Sequence, residues 1–136
     1  MRLKRVWPTY VRFVCFRIVA GKRRTRLGIF QAIQFAEDND ASPSWSLNEI
    51  RDLSEWFRHN LPAPPMAGRN HAPDQNSPIS WYKSAAKDHI HRSYQLKDAL
   101  KACGVHIDVI TTSSPGFITY EDEYQIFATP HGHTQT

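Results

Sequence analysis

Residues 9–20 (Thr9-Tyr10-Val11-Arg12-Phe13-Val14-Cys15-Phe16-Arg17-Ile18-Val19-Ala20) are rich in β-branched and aromatic side chains. Both alternating sets are largely apolar, whereas a strand with one wet face alternates apolar with polar. The segment therefore predicts an interior strand, covered on two sides, and every later element has to supply its neighbours or its cover.

The 136 residues are enough for one hydrophobic core and too few for two, so a single domain is expected. Hydrophobic content of 40% belongs to a chain that folds. No apolar run approaches the roughly 18–20 residues that cross a bilayer. The basic start (Arg2, Lys4, Arg5) runs into Trp7-Pro8 and Arg12, not a signal-peptide core, so a cytoplasmic protein without membrane contact is expected. Cys15 and Cys103 stand in neither a disulfide framework nor metal-ligand spacing and are expected to be buried thiols.

Charge is unevenly divided. Residues 1–36 carry nine Lys or Arg and no acid, whereas the remainder carries eight against thirteen Asp or Glu. Such a basic region suits an anionic partner, with Arg12, Arg17, Lys22, Arg23, Arg24 and Arg26 as the candidate anion-binding set; a solvated turn at residues 22–26 is the alternative.

After the turn at Gly21, Ile29, Phe30, Ile33 and Ala36 recur at helical spacing. A second helix is predicted from Ser46 as N-cap, with Glu49 three residues on and Trp45 and Ile50 placed for a hydrophobic staple. Its stripe of Leu47, Ile50, Leu53, Phe57 and Leu61 stops at Pro62. Residues 62–79 hold five of the nine prolines and read as a long loop. A third helix is predicted from Ser80 to Cys103, closed by Gly104, with Tyr82, Ala85, His89, Leu96, Leu100 and Cys103 on its core-facing stripe. Three strands should follow: Val105 to Thr111, Phe117 to Tyr120 after a Ser114-Pro115-Gly116 turn, and Tyr124 to Ala128, with a polar tail over 129–136. The expected fold is α+β: one N-terminal strand, three helices and a three-strand antiparallel meander, forming a four-stranded sheet.

Polar residues on the apolar stripe of the third helix mark the one candidate catalytic set. His89 would act as general base, Arg92 as anion clamp and Ser93 as hydroxyl, with the hairpin-tip acids Glu121 and Glu123 as carboxylates, the groups a small transferase or hydrolase requires. The structural alternative has His89 donating to a backbone carbonyl and Arg92 pairing with a carboxylate of the sheet. The seven histidines are scattered and lack metal-site spacing, and no Gly-rich phosphate loop is present, so neither metal nor cofactor is expected.

The segments Ile79-Ser80-Trp81-Tyr82-Lys83, His89-Ile90-x-Arg92, Thr111 to Gly116 and Tyr120-Glu121-Asp122, with Trp56-Phe57 and Asn60-Leu61-Pro62, resemble those of a family of small bacterial proteins of unassigned function. The resemblance covers most of the chain from Gly28 to Phe127. It implies a bacterial or phage setting and assigns no catalytic residue. Arg12 or Arg17, Thr111-Thr112-Ser113 and Glu121-x-Glu123 are similar to the set by which ADP-ribosyltransferases hold phosphate and orient a nicotinamide ribose, but in that family the serine motif and Glu-x-Glu lie much further apart. Two functions are thus expected to compete: a binding or regulatory domain contacting nucleic acid or an acidic protein, and a small enzyme built around His89.

Overall fold

The computed structural model describes residues 8–18, 24–63 and 78–132. In chain order these form β1 (Tyr10–Ile18), β2 (Arg24–Gly28), α1 (Ile29–Asp38), α2 (Ser44–Asn60), β3 (Ile79–Lys83), α3 (Lys87–Ala102), β4 (Asp108–Thr112), β5 (Phe117–Glu121) and β6 (Gln125–Thr129). The class is α+β with three helices, but the sheet has six antiparallel strands, not four. Residues 64–77, most of the proline-rich segment, lie outside the described residues, as do 133–136.

β1 organises the sheet as its composition requires. Val14 is opposite Gly28 of β2 and also opposite Asp108 of β4, so β2 and β4 occupy its two edges. Tyr10 and Val11 pair with Lys83 and Tyr82 of β3 as well as with Thr112 and Thr111 of β4. The edge away from β4 is therefore shared end to end by β2 and β3, and β3 continues through β6 to β5. Phe13, Val14 and Cys15 are all buried, so the expected two-sided cover is present.

Three strands correct the sequence reading. The first is β4, which pairs with β1 and not with β5, so the expected meander of the last three strands is reduced to the β5–β6 hairpin. Arg24–Gly28 is the second arm of a hairpin with β1, not part of a turn. Arg24, Thr25 and Arg26 show no apolar alternation, so the strand is signalled by its pairing with β1 and not by its local sequence. Ile79–Lys83 is a strand, so the third helix begins at Lys87 and not at Ser80. A helix there would leave β1 and β6 without the partner between them, and their backbone groups unpaired. As a strand it sends neighbouring rings to opposite faces: Trp81 to a small cluster with Ile126 and Ala128, and Tyr82 to the main core beneath the helices.

The helices cover one face. Ala32 and Ala36 of α1, Ile50, Leu53 and Phe57 of α2, and Leu96, Ala99 and Leu100 of α3 pack on Phe13, Cys15 and Tyr82. α2 starts three residues earlier than its sequence suggests, after Pro43 as N-cap. Ser46 is then inside the first turn and fully buried, with Oγ donating to the Pro43 carbonyl (2.9 Å) and lying 3.3 Å from Cys103 Sγ. The staple is absent, because Trp45 is 61% exposed. The end of α3 follows expectation: Gly104 has φ +79°, Gly104 N–H donates to the Lys101 carbonyl and Val105 N–H to that of Leu100, a Schellman motif. Both cysteines are free and buried.

β6 extends through Thr129, so the C-terminal tail is shorter than predicted. The β5–β6 tip is organised by Asp122. Its Oδ1 accepts from the Tyr124 and Gln125 amides (2.8 and 3.0 Å), and Oδ2 from Tyr120 Oη and Gln125 Nε2 (2.9 and 3.0 Å). Burial alone would raise this carboxyl's pKa, but the donors hold it below the ordinary value. A depressed carboxyl stabilises the fold above its unfolded pKa, near 4, and loses that contribution as pH falls through the folded value. Asp122→Asn cannot accept at both side-chain positions. It should cost about 1.5–3 kcal/mol at pH 7, with the gap to the parent protein closing below about pH 4 in urea unfolding measured across pH.

Candidate functional site

His89 lies in the first turn of α3, against the last turn of α2. Asn60 ends α2, so its carbonyl has no intrahelical donor. His89 Nε2 supplies one at 2.7 Å, and because a carbonyl only accepts, Nε2 carries the proton. The ring is 4% exposed. Trp56 meets it edge-on at 4.9 Å, Tyr124 lies tilted over it at 4.3 Å, and Phe57 and Tyr82 stand at 6.3 Å. Aromatic rings from α2, β3 and the β5–β6 tip thus enclose the imidazole.

Arg92 and Ser93, three and four residues on, reach different partners. The Arg92 guanidinium carbon lies 4.0 Å above the Trp56 ring, a cation–π contact in place of the expected carboxylate pair. Ser93 Oγ donates to the Tyr82 hydroxyl at 3.0 Å in the buried layer. Burial pushes the Tyr82 phenol up to about 12, against the opposing pull of Ser93's donation. Tyr82, expected on the core-facing stripe of the same helix, thus meets Ser93 from a strand instead.

The acids are distributed otherwise. Glu121 Oε2 pairs with Lys83 Nζ at 2.5 Å. Lys83 alternates with Tyr82, and Glu121 is in register with Ile126, so this pair lies on the sheet face opposite His89. Glu123 is exposed at the tip, where its charge raises the phenol of Tyr124, the ring over His89. The structure therefore assembles His89, Ser93 and Tyr82 on the helix side, places Glu123 next to that group through Tyr124, and sends Glu121 away. Arg12 shares the helix-free face with Glu121, but β3 and β6 stand between their strands, about 14 Å at strand spacing.

Two members of the basic set lie on the helix-free face. Arg12 and Arg26 both project there, since Arg12 alternates with Phe13 and Arg26 pairs with Phe16. The Arg26 guanidinium carbon is 4.5 Å above the Phe16 ring. Burial, and then the charge of Arg26, lower the Arg12 pKa to about 10, which leaves it charged at neutral pH. Arg17 and Arg24 occupy paired strands of the hairpin. Lys22 and Arg23 lie outside the described residues.

Sequence reasoning missed a groove of about 550 Å³ along α2, lined by Trp45, Asn48, Glu49, Asp52, Leu53, Trp56 and Arg92. Its signal was present: Trp45, Glu49, Asp52 and Trp56 stand at i, i+4, i+7 and i+11, one stripe of a helix. Among the described residues, no group of three or more His, Cys, Asp or Glu side chains is placed to hold a metal ion. No helix among them is long and apolar enough to cross a membrane. Comparison with protein-family models, with curated proteins and with solved structures gives no match.

Proposed function

We propose that this chain is a non-catalytic binding or regulatory domain, whose basic amino-terminal region meets an anionic partner, a nucleic acid or an acidic protein surface. The observation that carries the reading is the placement of Arg12 and Arg26 on the same, helix-free face of the sheet, with the Arg26 guanidinium stacked on Phe16. Two guanidinium groups on one face form a positive patch that attracts an anion. Nine basic side chains and no acid in residues 1–36 extend the same field along the chain. The likeness of several segments to small bacterial proteins adds a bacterial or phage setting to the proposal.

The environment of His89 also favours a binding domain over an enzyme. A general base needs a free lone pair within reach of a substrate proton. Here Nε2 donates to the Asn60 carbonyl. The remaining lone pair, on Nδ1, belongs to a residue only 4% exposed and enclosed by aromatic rings, out of a substrate's reach, which fits a group that fixes α3 on α2.

Binding of labelled single-stranded DNA, duplex DNA, RNA and poly-glutamate, followed by fluorescence anisotropy over a salt series, tests the proposal. Affinity for at least one polyanion is expected at low salt. For nucleic acid, log K should fall with log salt at a slope of about 2–5, as for a few neutralised phosphates. No affinity for any of the four at low salt would remove the reading. A preference for poly-glutamate would assign the partner as an acidic protein.

A further inference from the structure

The α2 groove lies apart from the basic hairpin and has its own chemistry. Trp45 is 61% exposed, the second most exposed of the large hydrophobic side chains among the described residues. Between it and Trp56 stand the exposed carboxylates Glu49 and Asp52, neither in an ion pair among the described residues. Aromatic faces flanking carboxylates select cations: the ring quadrupoles attract positive charge, and the acids supply charge-assisted acceptors. The chain contains one instance of the chemistry, since the guanidinium of Arg92 already lies 4.0 Å above Trp56.

We propose that this groove docks a basic peptide segment of a partner protein, with arginine or lysine side chains on Trp45 and against Glu49 and Asp52. Charge complementarity selects that occupant. An exposed tryptophan alone would also stack a nucleic-acid base, but the two carboxylates repel a phosphate backbone. Length selects a peptide over a small cation. Trp45 and Asp52 are seven residues apart on the helix, about 10 Å, which an extended segment of about four residues spans. The segment is held by an aromatic and a carboxylate at separate points, so one cation on its own captures only part of the binding. This proposal does not depend on the basic hairpin, and the two can fail separately.

Anisotropy of labelled pentapeptides against the full chain tests it. The probes are Arg-Gly-Gly-Gly-Arg and Glu-Gly-Gly-Gly-Glu, both with blocked termini, with N-acetylarginine amide and a single-stranded oligonucleotide as competitors. Trp45, Glu49 and Asp52 are exposed, so Trp45→Ala and Glu49→Gln/Asp52→Asn should keep the parent circular dichroism. The arginine pentapeptide is expected to bind at one site, and each variant to weaken it by about tenfold. The proposal is overturned by absent binding at low salt, equal binding of the glutamate pentapeptide, or unchanged affinity in both variants. It is overturned too if N-acetylarginine amide competes as well as the pentapeptide, which would make this a small-cation site, or if the oligonucleotide displaces the peptide in the parent but not in Trp45→Ala, which would make it a base-stacking site. A sedimentation profile showing that Trp45→Ala dissolves a self-associated form would assign the groove to a second copy of this chain and equally overturn it.

Discussion

Replacing His89 by alanine is expected to destabilise the fold by about 3 kcal/mol, a fall in midpoint of roughly 10 °C for a chain of this size. Two effects combine. The imidazole fills the space between Trp56 and Tyr124, and its removal leaves a void among enclosing rings. The Asn60 carbonyl then also loses its donor at the end of α2, at about 1 kcal/mol for a hydrogen bond of this kind. His89→Phe separates the two, because it refills the volume but leaves the carbonyl unpaired. It should recover more than half of the loss in thermal or urea unfolding. If His89→Ala unfolds like the parent protein, His89 does not anchor α3 on α2.

Gly116→Ala should cost at least as much, about 3–4 kcal/mol, for a different reason. Gly116 has φ +113°, a region that L side chains rarely adopt. A Cβ built there would stand 2.0 Å from the Thr129 carbonyl oxygen, 2.8 Å from its carbon and 2.9 Å from Pro130 Cα. All three are backbone atoms, so no rotamer change relieves the overlap and the β5–β6 pairing has to shift. Gly104→Ala is the control. Its φ is also positive, at +79°, but the nearest atom to a new Cβ is Asn39 Nδ2 at 3.8 Å. It should lose only about 1 kcal/mol, the left-handed backbone cost. Equal losses for the two variants in urea unfolding would show that the approach to Thr129 is not what Gly116 permits.

Much of this fold was legible in the sequence where one physical demand dominated. The two-sided apolarity of residues 9–20 has no stable solution except an interior strand, and β1 is one. The stripes at Ile50, Leu53 and Phe57, and at Leu96 and Leu100, bury the faces their periodicity indicated. Where local preference and tertiary pairing disagreed, pairing decided. Ser80 can cap a helix and Trp81 and Tyr82 fit a helical stripe, yet the five residues of β3 complete the sheet between β1 and β6, a need that lies elsewhere in the chain. Ser46 illustrates the same point: a good N-cap residue is used inside the helix because its hydroxyl can satisfy the Pro43 carbonyl and contact Cys103.

The candidate site was legible in part. Helical spacing located His89, Arg92 and Ser93, and the structural role weighed for His89, a bond to a backbone carbonyl, matches its geometry. The partners were not legible, since Trp56, Asn60 and Tyr124 come from α2 and the hairpin tip, and no local rule links them to α3. Glu121 was grouped with His89 by its acidity, but strand alternation assigns it to the other face, with Lys83. The Trp45, Glu49, Asp52 and Trp56 stripe was available at helical spacing and was obscured because Trp45 also fitted a staple.

On the proposal above, the basic hairpin binds the anionic partner and His89 supports the fold. Polyanion affinity at low salt, compared among the parent protein, Arg26→Glu and His89→Ala below the variants' melting temperatures, tests it most directly. The expected result is salt-sensitive binding by the parent protein, a loss of about tenfold or more in Arg26→Glu, and unchanged affinity in His89→Ala despite its lower stability. Loss of binding in His89→Ala with retention in Arg26→Glu would contradict the account, as would a parent protein that binds no polyanion.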